Sequence, residues 1–256
     1  MNLELNNKRV LVTGASRGIG LAIAEAFLQE GARVVLTART YATLQETAGR
    51  LFKKHGADRL LTLSFDCADE PKWSDALKKI KDAWGGLDIV VANVGDGRSV
   101  PDALPDAERF NKVWRTNFTT SEVTARATLP LLTENGGCLL FISSIAGLEA
   151  IGAPTDYSVA KSALVALTKQ LARKLAPRVR VNCLAPGNVY FPGGSWDDKI
   201  QTDPERVKML IETSVPMKRF GTPHEMADSV VFLCSDRASF VTGACLVIDG
   251  GQTVSL

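Results

Sequence analysis

Long apolar runs are missing from this chain of 256 residues. None approaches the ~18 residues that a membrane span needs, so no membrane partner is expected. Charge of one sign is equally scarce. The 30 Lys and Arg stand against 28 Asp and Glu, a net charge of +2. That balance makes no electrostatic case for nucleic acid or an anionic membrane surface. Only His55 and His224 supply imidazole, without metal-type spacing, so both read as surface residues and no metal is expected. The five cysteines (Cys67, Cys138, Cys183, Cys234 and Cys245) are odd in number, scattered and free of any C-x-x-C pair. They read as small buried hydrophobes in a reducing compartment rather than a disulfide framework. The start, MNLELNNKR, has no apolar signal core, and Val254-Ser255-Leu256 is neither a peroxisomal tripeptide nor a prenylation box, so a cytoplasmic location is expected. No repeat, low-complexity segment or domain boundary interrupts the chain, so residues 1–256 are expected to form one domain.

What is present is organised around the stretch from Cys138 to Leu175. The apolar run Cys138 to Ile142 predicts a buried strand that ends at Ser143 and Ser144. A Gly- and Pro-bearing loop follows, and an amphipathic helical pattern begins near Tyr157. Tyr157 and Lys161 are four residues apart, so on a helix they share one face, about 6 Å apart along the axis. A free phenol titrates near pH 10, and a fixed ammonium beside it would lower that value. Such a phenol can exchange a proton with a carbonyl or alcohol oxygen, which the Ser144 hydroxyl could hold.

A second constellation lies near the start. Lys8 to Thr13 predicts a short buried strand, and Gly14-Ala15-Ser16-Arg17-Gly18-Ile19-Gly20 follows as a turn opening a helix. Strand, glycine turn and helix start are the context in which backbone amides and the helix dipole receive a pyrophosphate. The next strand, Arg33 to Ala38, ends at Arg39 with no acid at its tip. A carboxylate there would hold a ribose 2′-hydroxyl, whereas arginine suits a 2′-phosphate. Arg39 and Arg17 therefore favour NADP(H) over NAD(H).

Tyr157-Ser158-Val159-Ala160-Lys161, with Ser144 thirteen positions earlier, resembles the active-site signature of the short-chain dehydrogenase/reductase family, including its 3-oxoacyl-ACP reductase-like members. Thr13 to Gly20 likewise resembles the family's T-G-x-x-x-G-x-G turn. The resemblance covers about residues 7 to 252, with its motifs in order. It implies adenine contacts from Asp66-Cys67, a structural N-A-G motif at Asn93-Val94-Gly95, and a P-G motif at Pro186-Gly187, with Ile19 and Val189 beside the cofactor. It implies that Asn117 holds a water in a proton relay behind Lys161, a role that can coexist with an ordinary structural hydrogen bond. Where the family usually places a threonine after P-G, this chain has Phe191, which weakens one expected contact to the carboxamide.

The substrate side is less determined. Arg98 could grip a carboxylate or phosphate, or be a solvated loop arginine. Residues 188–214 read as the least regular part, a substrate-loop segment with one helix-like piece, Pro204 to Ile211. Tyr190, Phe191 and Trp196, with Leu148, could line an apolar pocket, or the segment's aromatics could pack on themselves. A long helical pattern is expected from Asp106 to Leu132. Strands alternating with helices predict a Rossmann-type doubly wound parallel sheet of about seven strands with helices on both faces. The resemblance implies hydride transfer between NADP(H) and a carbonyl or secondary alcohol, catalysed by Asn117, Ser144, Tyr157 and Lys161 in a homodimer or homotetramer. An NAD-linked alcohol dehydrogenase and a non-catalytic nucleotide-binding regulator remain as alternatives.

Overall fold

The structure, a computed structural model, describes residues 2–255. Met1 and Leu256, which belong to the end segments read above for targeting signals, lie outside it. Seven strands form one parallel sheet: β1 (Arg9–Val12), β2 (Arg33–Ala38), β3 (Leu60–Ser64), β4 (Ile89–Ala92), β5 (Gly137–Ile142), β6 (Val179–Pro186) and β7 (Cys245–Ile248). Their order across the sheet is β3-β2-β1-β4-β5-β6-β7, and every neighbouring pair is parallel. This is the expected doubly wound architecture.

The strand sequences explain the layering. RVLV, IVVA and GCLLFI are near-continuous apolar runs because helices cover both faces of the sheet. Alternate side chains then divide between two cores. Val10, Val12, Ile89, Val91, Cys138 and Leu140 point to one side, against α1 (Gly18–Gln29) and α9 (Pro223–Cys234). Leu11, Val90, Ala92, Leu139 and Phe141 point to the other. There they meet α3 (Lys72–Trp84), α5 (Thr120–Asn135) and α6 (Thr155–Leu175). All five cysteines are free thiols, four buried and Cys245 half-buried, as the scattered pattern suggested. His224 is exposed, but His55, expected at the surface, is half-buried at the end of α2 (Tyr41–His55).

Two expectations are corrected. The pattern from Asp106 to Leu132 is not one regular helix. It comprises α4 (Ala107–Trp114) and α5, joined by a wider π-type turn at Arg115–Thr119. Thr120 Oγ1 donates to the Arg115 and Thr116 carbonyls inside that turn. The π-type turn differs from its flanks in backbone hydrogen bonding, and its residues, RTNFT, include no Gly or Pro that would mark it in the sequence. Residues 188–214 are also more ordered than read, with α7 (Ser195–Thr202) and α8 (Pro204–Ser214). Val207, Ile211 and Val215 form a small separate core there with Trp196, Ile200, Leu210 and Phe220.

The chain leaves the β3 edge and returns to place β4 beside β1. The loops after β1 and β4 therefore run to opposite sides, opening a crevice at the carboxyl ends of the strands. At the other end, Arg9 and Asp88 close the same strand pair. Arg9 donates Nη2 to Asp88 Oδ1 at 2.6 Å and Nε to Oδ2 at 2.9 Å, and its backbone N–H reaches Oδ2 at 2.8 Å. Burial alone would raise the Asp88 carboxyl, but the hydrogen bonds from Arg9 outweigh it and hold the group below 3.8. A depressed carboxyl contributes stability above its unfolded value that is lost as pH falls through the folded one. Asp88→Asn should lower unfolding free energy by about 1–2 kcal/mol at pH 7. In urea titrations the difference from wild type should shrink below pH 4.

Candidate active site

The crevice is a cleft of about 710 Å³ running across the carboxyl edge of the sheet. One end begins at the turn after β1. Gly14 and Gly18 have φ of +66° and +57°, values that side-chain-bearing residues rarely adopt. Asn93, at the end of β4, pins this turn by donating Nδ2 to the Thr13 carbonyl at 2.9 Å and the Gly14 carbonyl at 3.3 Å. The first turn of α1 has no side-chain cap and no acidic residue. Its free amides and positive dipole end thus face the cleft without an internal partner. A pyrophosphate fits that donor set.

Beyond the turn the cleft is lined by Arg39, Thr40, Thr43, Glu46 and Arg50 on one wall and by Asp66 and Cys67 on the other. Arg39 and Arg50 are both exposed. Arg50, half a helix away in sequence, was not singled out from sequence. Arg17 lines the cleft but donates Nη1 to the Gly193 carbonyl at 2.8 Å. Asp66 accepts from Ala68 N at 3.0 Å and from Arg115 Nη1 at 2.9 Å.

At the opposite end the wall is made by Gly95, Ser144, Tyr157, Lys161, Pro186, Gly187 and Val189. Lys161 is buried and donates Nζ to the Ile142 carbonyl at 2.9 Å. Burial pushes its pKa down to about 8. The Tyr157 ring lies one turn away, its centroid 5.8 Å from Nζ. Part of the ring reaches the cleft, while protein atoms crowd the phenol as closely as in a core. Burial raises its pKa, the Ser144 hydroxyl pulls the other way, and the Asp96 carboxylate adds to the rise. The expected acidifying effect of Lys161 is therefore not what sets this phenol in the protein alone. Burial penalises the charged phenolate, and that penalty outweighs the hydrogen bond from Ser144.

The approach of these groups demands a bare backbone at Gly95. A Cβ there would lie 2.9 Å from Lys161 Nζ and 3.0 Å from Asn117 Oδ1. Asn117 sits in the π-type turn, fully buried, and does not line the cleft. Its side chain accepts from Asp96 N at 2.9 Å and donates to the Asp96 carbonyl at 3.0 Å and the Val113 carbonyl at 3.1 Å. Asp156, which precedes Tyr157, was also missed. It is fully buried and accepts the Tyr157 N–H at 2.7 Å and the Ser99 hydroxyl at 2.6 and 2.8 Å. An acid in the first turn of a helix ordinarily reads as a solvated helix-end charge, so sequence carried no signal for its burial.

The substrate-side candidates divide. Phe191 and Trp196 line the cleft, whereas Tyr190 and Leu148 do not. Tyr190 donates its hydroxyl to Asp197 at 3.1 Å and packs 6.0 Å from the Phe220 ring. Leu148 is exposed outside the cleft. Phe191 lies on the glycine turn: a Cβ at Gly18 would be 2.7 Å from its ring. Gly18 itself is covered and forms no part of the cleft wall. Arg98 is on the wall as an exposed loop arginine, but it is not a free anion grip. Nε donates to Asp198 at 2.7 Å, Nη1 to Asp96 at 3.1 Å and Nη2 to the Gly193 carbonyl at 3.0 Å. Among the described residues no cluster of His, Cys, Asp or Glu could hold a metal ion, and no helix is long and apolar enough to cross a membrane.

The family model described as Enoyl-(Acyl carrier protein) reductase matches residues 14–253. A 2-(S)-hydroxypropyl-CoM dehydrogenase of Xanthobacter autotrophicus is 37% identical, the match covering 99% of each protein. The short-chain dehydrogenase/reductase SDRA of Arabidopsis thaliana is 36% identical over 97% of this chain and 96% of that protein. Among solved structures, L-sorbose reductase from Gluconobacter frateurii, complexed with NADPH and L-sorbose, superimposes with a TM-score of 0.92 at 32% identity, covering 100% of both chains. The chain therefore belongs to the short-chain dehydrogenase/reductase family, oxidoreductases that use a nicotinamide cofactor.

Proposed function

We propose that this protein transfers a hydride reversibly between NADP(H) and a carbonyl or secondary alcohol, with Tyr157 as the general acid and base. The observation that carries the reading is the convergence of Ser144, Tyr157 and Lys161 on the end of the cleft opposite Arg39 and Arg50. The nicotinamide cofactor, when bound, supplies or accepts the hydride. The amides at the start of α1 would hold its pyrophosphate, and Asp66 and Cys67 would flank its adenine. Arg39 and Arg50 would hold a 2′-phosphate. A phenol whose pKa is raised is protonated at neutral pH, so Tyr157 is poised to give its proton to a carbonyl oxygen. Ser144 would steady that oxygen as negative charge develops. Lys161 would hold the nicotinamide ribose and favour recharging of the phenol, with Asn117 fixing the loop behind it.

The names of the relatives do not converge on one substrate, since L-sorbose and a 2-hydroxypropyl-CoM are chemically unlike. A second reading, an NAD-linked alcohol dehydrogenase, is favoured by one residue: Glu46 lines the adenosine end, where a carboxylate could take a ribose hydroxyl. A non-catalytic nucleotide-binding regulator is disfavoured because Tyr157 and Lys161 both reach the cleft. We further propose that the protein acts in the cytoplasm as a homodimer or homotetramer paired through α5 and α6. Val159 leaves an apolar side chain exposed on α6, and sedimentation as a monomer would reject the pairing.

Three measurements bear on this reading. Tyr157→Phe should retain NADPH binding by fluorescence and lose at least about a hundredfold in kcat; unchanged turnover would remove the mechanism. Arg39→Ser should raise KM for NADPH about tenfold and leave KM for NADH unchanged. The opposite pattern would favour the NAD-linked reading. Lys161→Met should abolish activity yet stabilise the fold at pH 7 by about 1–3 kcal/mol, because a buried ammonium with one hydrogen bond is costly. Since the lysine titrates near 8 when folded and 10.5 when unfolded, wild type gains stability as pH rises between those values. The gap in urea midpoint should therefore close above pH 9.

A further inference from the structure

The catalytic half of the cleft is short of free positive charge. Lys161 is committed to the Ile142 carbonyl, Arg17 to the Gly193 carbonyl, and Arg98 to Asp96, Asp198 and Gly193. The exposed arginines, Arg39 and Arg50, lie at the other end, where the cofactor's phosphates would take them. A substrate anion entering beside Tyr157 would meet Arg98 already neutralised by two carboxylates, and Lys161 buried with one hydrogen bond to a carbonyl.

It would also meet Asp96. This residue lies in the loop after β4, beyond Asn93-Val94-Gly95, and its N–H and carbonyl are both held by the buried Asn117 amide. Its carboxylate is thus held on the cleft wall by backbone geometry rather than by a mobile loop. The Asp96 charge is close enough to Tyr157 to raise the phenol. Of its two oxygens, Oδ1 takes the Arg98 N–H at 3.0 Å and Nη1 at 3.3 Å, while Oδ2 takes only Nη1 at 3.1 Å. A carboxylate oxygen has two lone-pair directions, so Oδ2 retains an acceptor site. Ser195, at the start of α7, presents a hydroxyl on the same wall. A Cβ at Gly97 would lie 3.4 Å from that oxygen, which takes no hydrogen bond from the described residues. A fixed acceptor and a free hydroxyl beside the reacting position suit a substrate that carries O–H groups. The pairing disfavours a carboxylate or phosphate placed beside Asp96 by like-charge repulsion.

We propose that Asp96 is a specificity-determining residue that selects a neutral, hydroxyl-bearing ketone or alcohol over an anionic analogue of the same size. The inference rests on reading the Tyr157 end of the cleft as the site of hydride transfer. It is tested by binding, which does not require turnover. With the full chain saturated in NADP⁺, calorimetric titrations compare three pairs: sorbitol with gluconate, ribitol with ribonate, and glycerol with glycerate. In at least one pair the neutral polyol should bind at least tenfold more tightly than its carboxylate. In Asp96→Asn that ratio should fall at least fivefold, with affinity for NADP⁺ unchanged. Equal binding within every pair, preference for the carboxylates, or no binding of any polyol overturns the proposal, and these wild-type results stand even if the variant fails to fold. An unchanged ratio in a folded Asp96→Asn also overturns it. Turnover is followed separately with the corresponding ketoses and NADPH. Selective binding without any oxidation of NADPH would uphold the role of Asp96 and reject the hydride-transfer reading.

Discussion

An ammonium held in the protein interior against the last carbonyl of β5 ties the candidate chemistry to the sheet. Lys161 reaches Ile142 from α6, so the helix that carries Tyr157 is registered against the strand that delivers Ser144. Ser143 strengthens the same junction, donating its hydroxyl to the Lys161 carbonyl at 2.8 Å. Burying that charge is unfavourable in isolation. It persists because the surrounding elements over-determine it: Gly95 leaves room for Nζ, and Gly147 sits so close to the Lys161 backbone that a Cβ would be 2.6 Å away. Stability and preorganisation pull against each other at this position, as they commonly do where a site needs a strained or desolvated group.

The rest of the cleft depends on how the segment at 188–214 meets the sheet edge. Gly193 offers one carbonyl to two arginines, Arg17 from the glycine turn and Arg98 from the loop after β4. Phe191 adds an apolar seat on Gly18. The small core around Val207 and Ile211 gives the segment packing of its own. Cofactor turn, substrate wall and covering segment are therefore mechanically joined, although Arg17 and Arg98 lie 176 and 95 residues from Gly193 in the chain. Asp96 and Asp198 neutralise the Arg98 charge that an anionic substrate would have used.

Much of the fold was legible because local pattern and global architecture agree. The apolar runs bounded by turns gave the parallel strands of the sheet. The break at Arg115–Thr119 was not legible, since no Gly or Pro stands there to mark it. Tyr190 and Phe191 are neighbours in sequence and equally aromatic, yet one lines the cleft and the other packs outside it. Only the backbone path after Val189 separates them.

By itself the sequence determined the element order, the glycine turn and the four-residue spacing of Tyr157 and Lys161, because these depend on backbone conformation and helical repeat. The tertiary structure decided the electrostatics. Whether Arg98 is free, whether Asp156 is buried and which way the Tyr157 phenol shifts all depend on partners and solvent exposure set by distant segments. Charge interactions are governed by distance and desolvation in three dimensions, and neither quantity is written in the order of the residues.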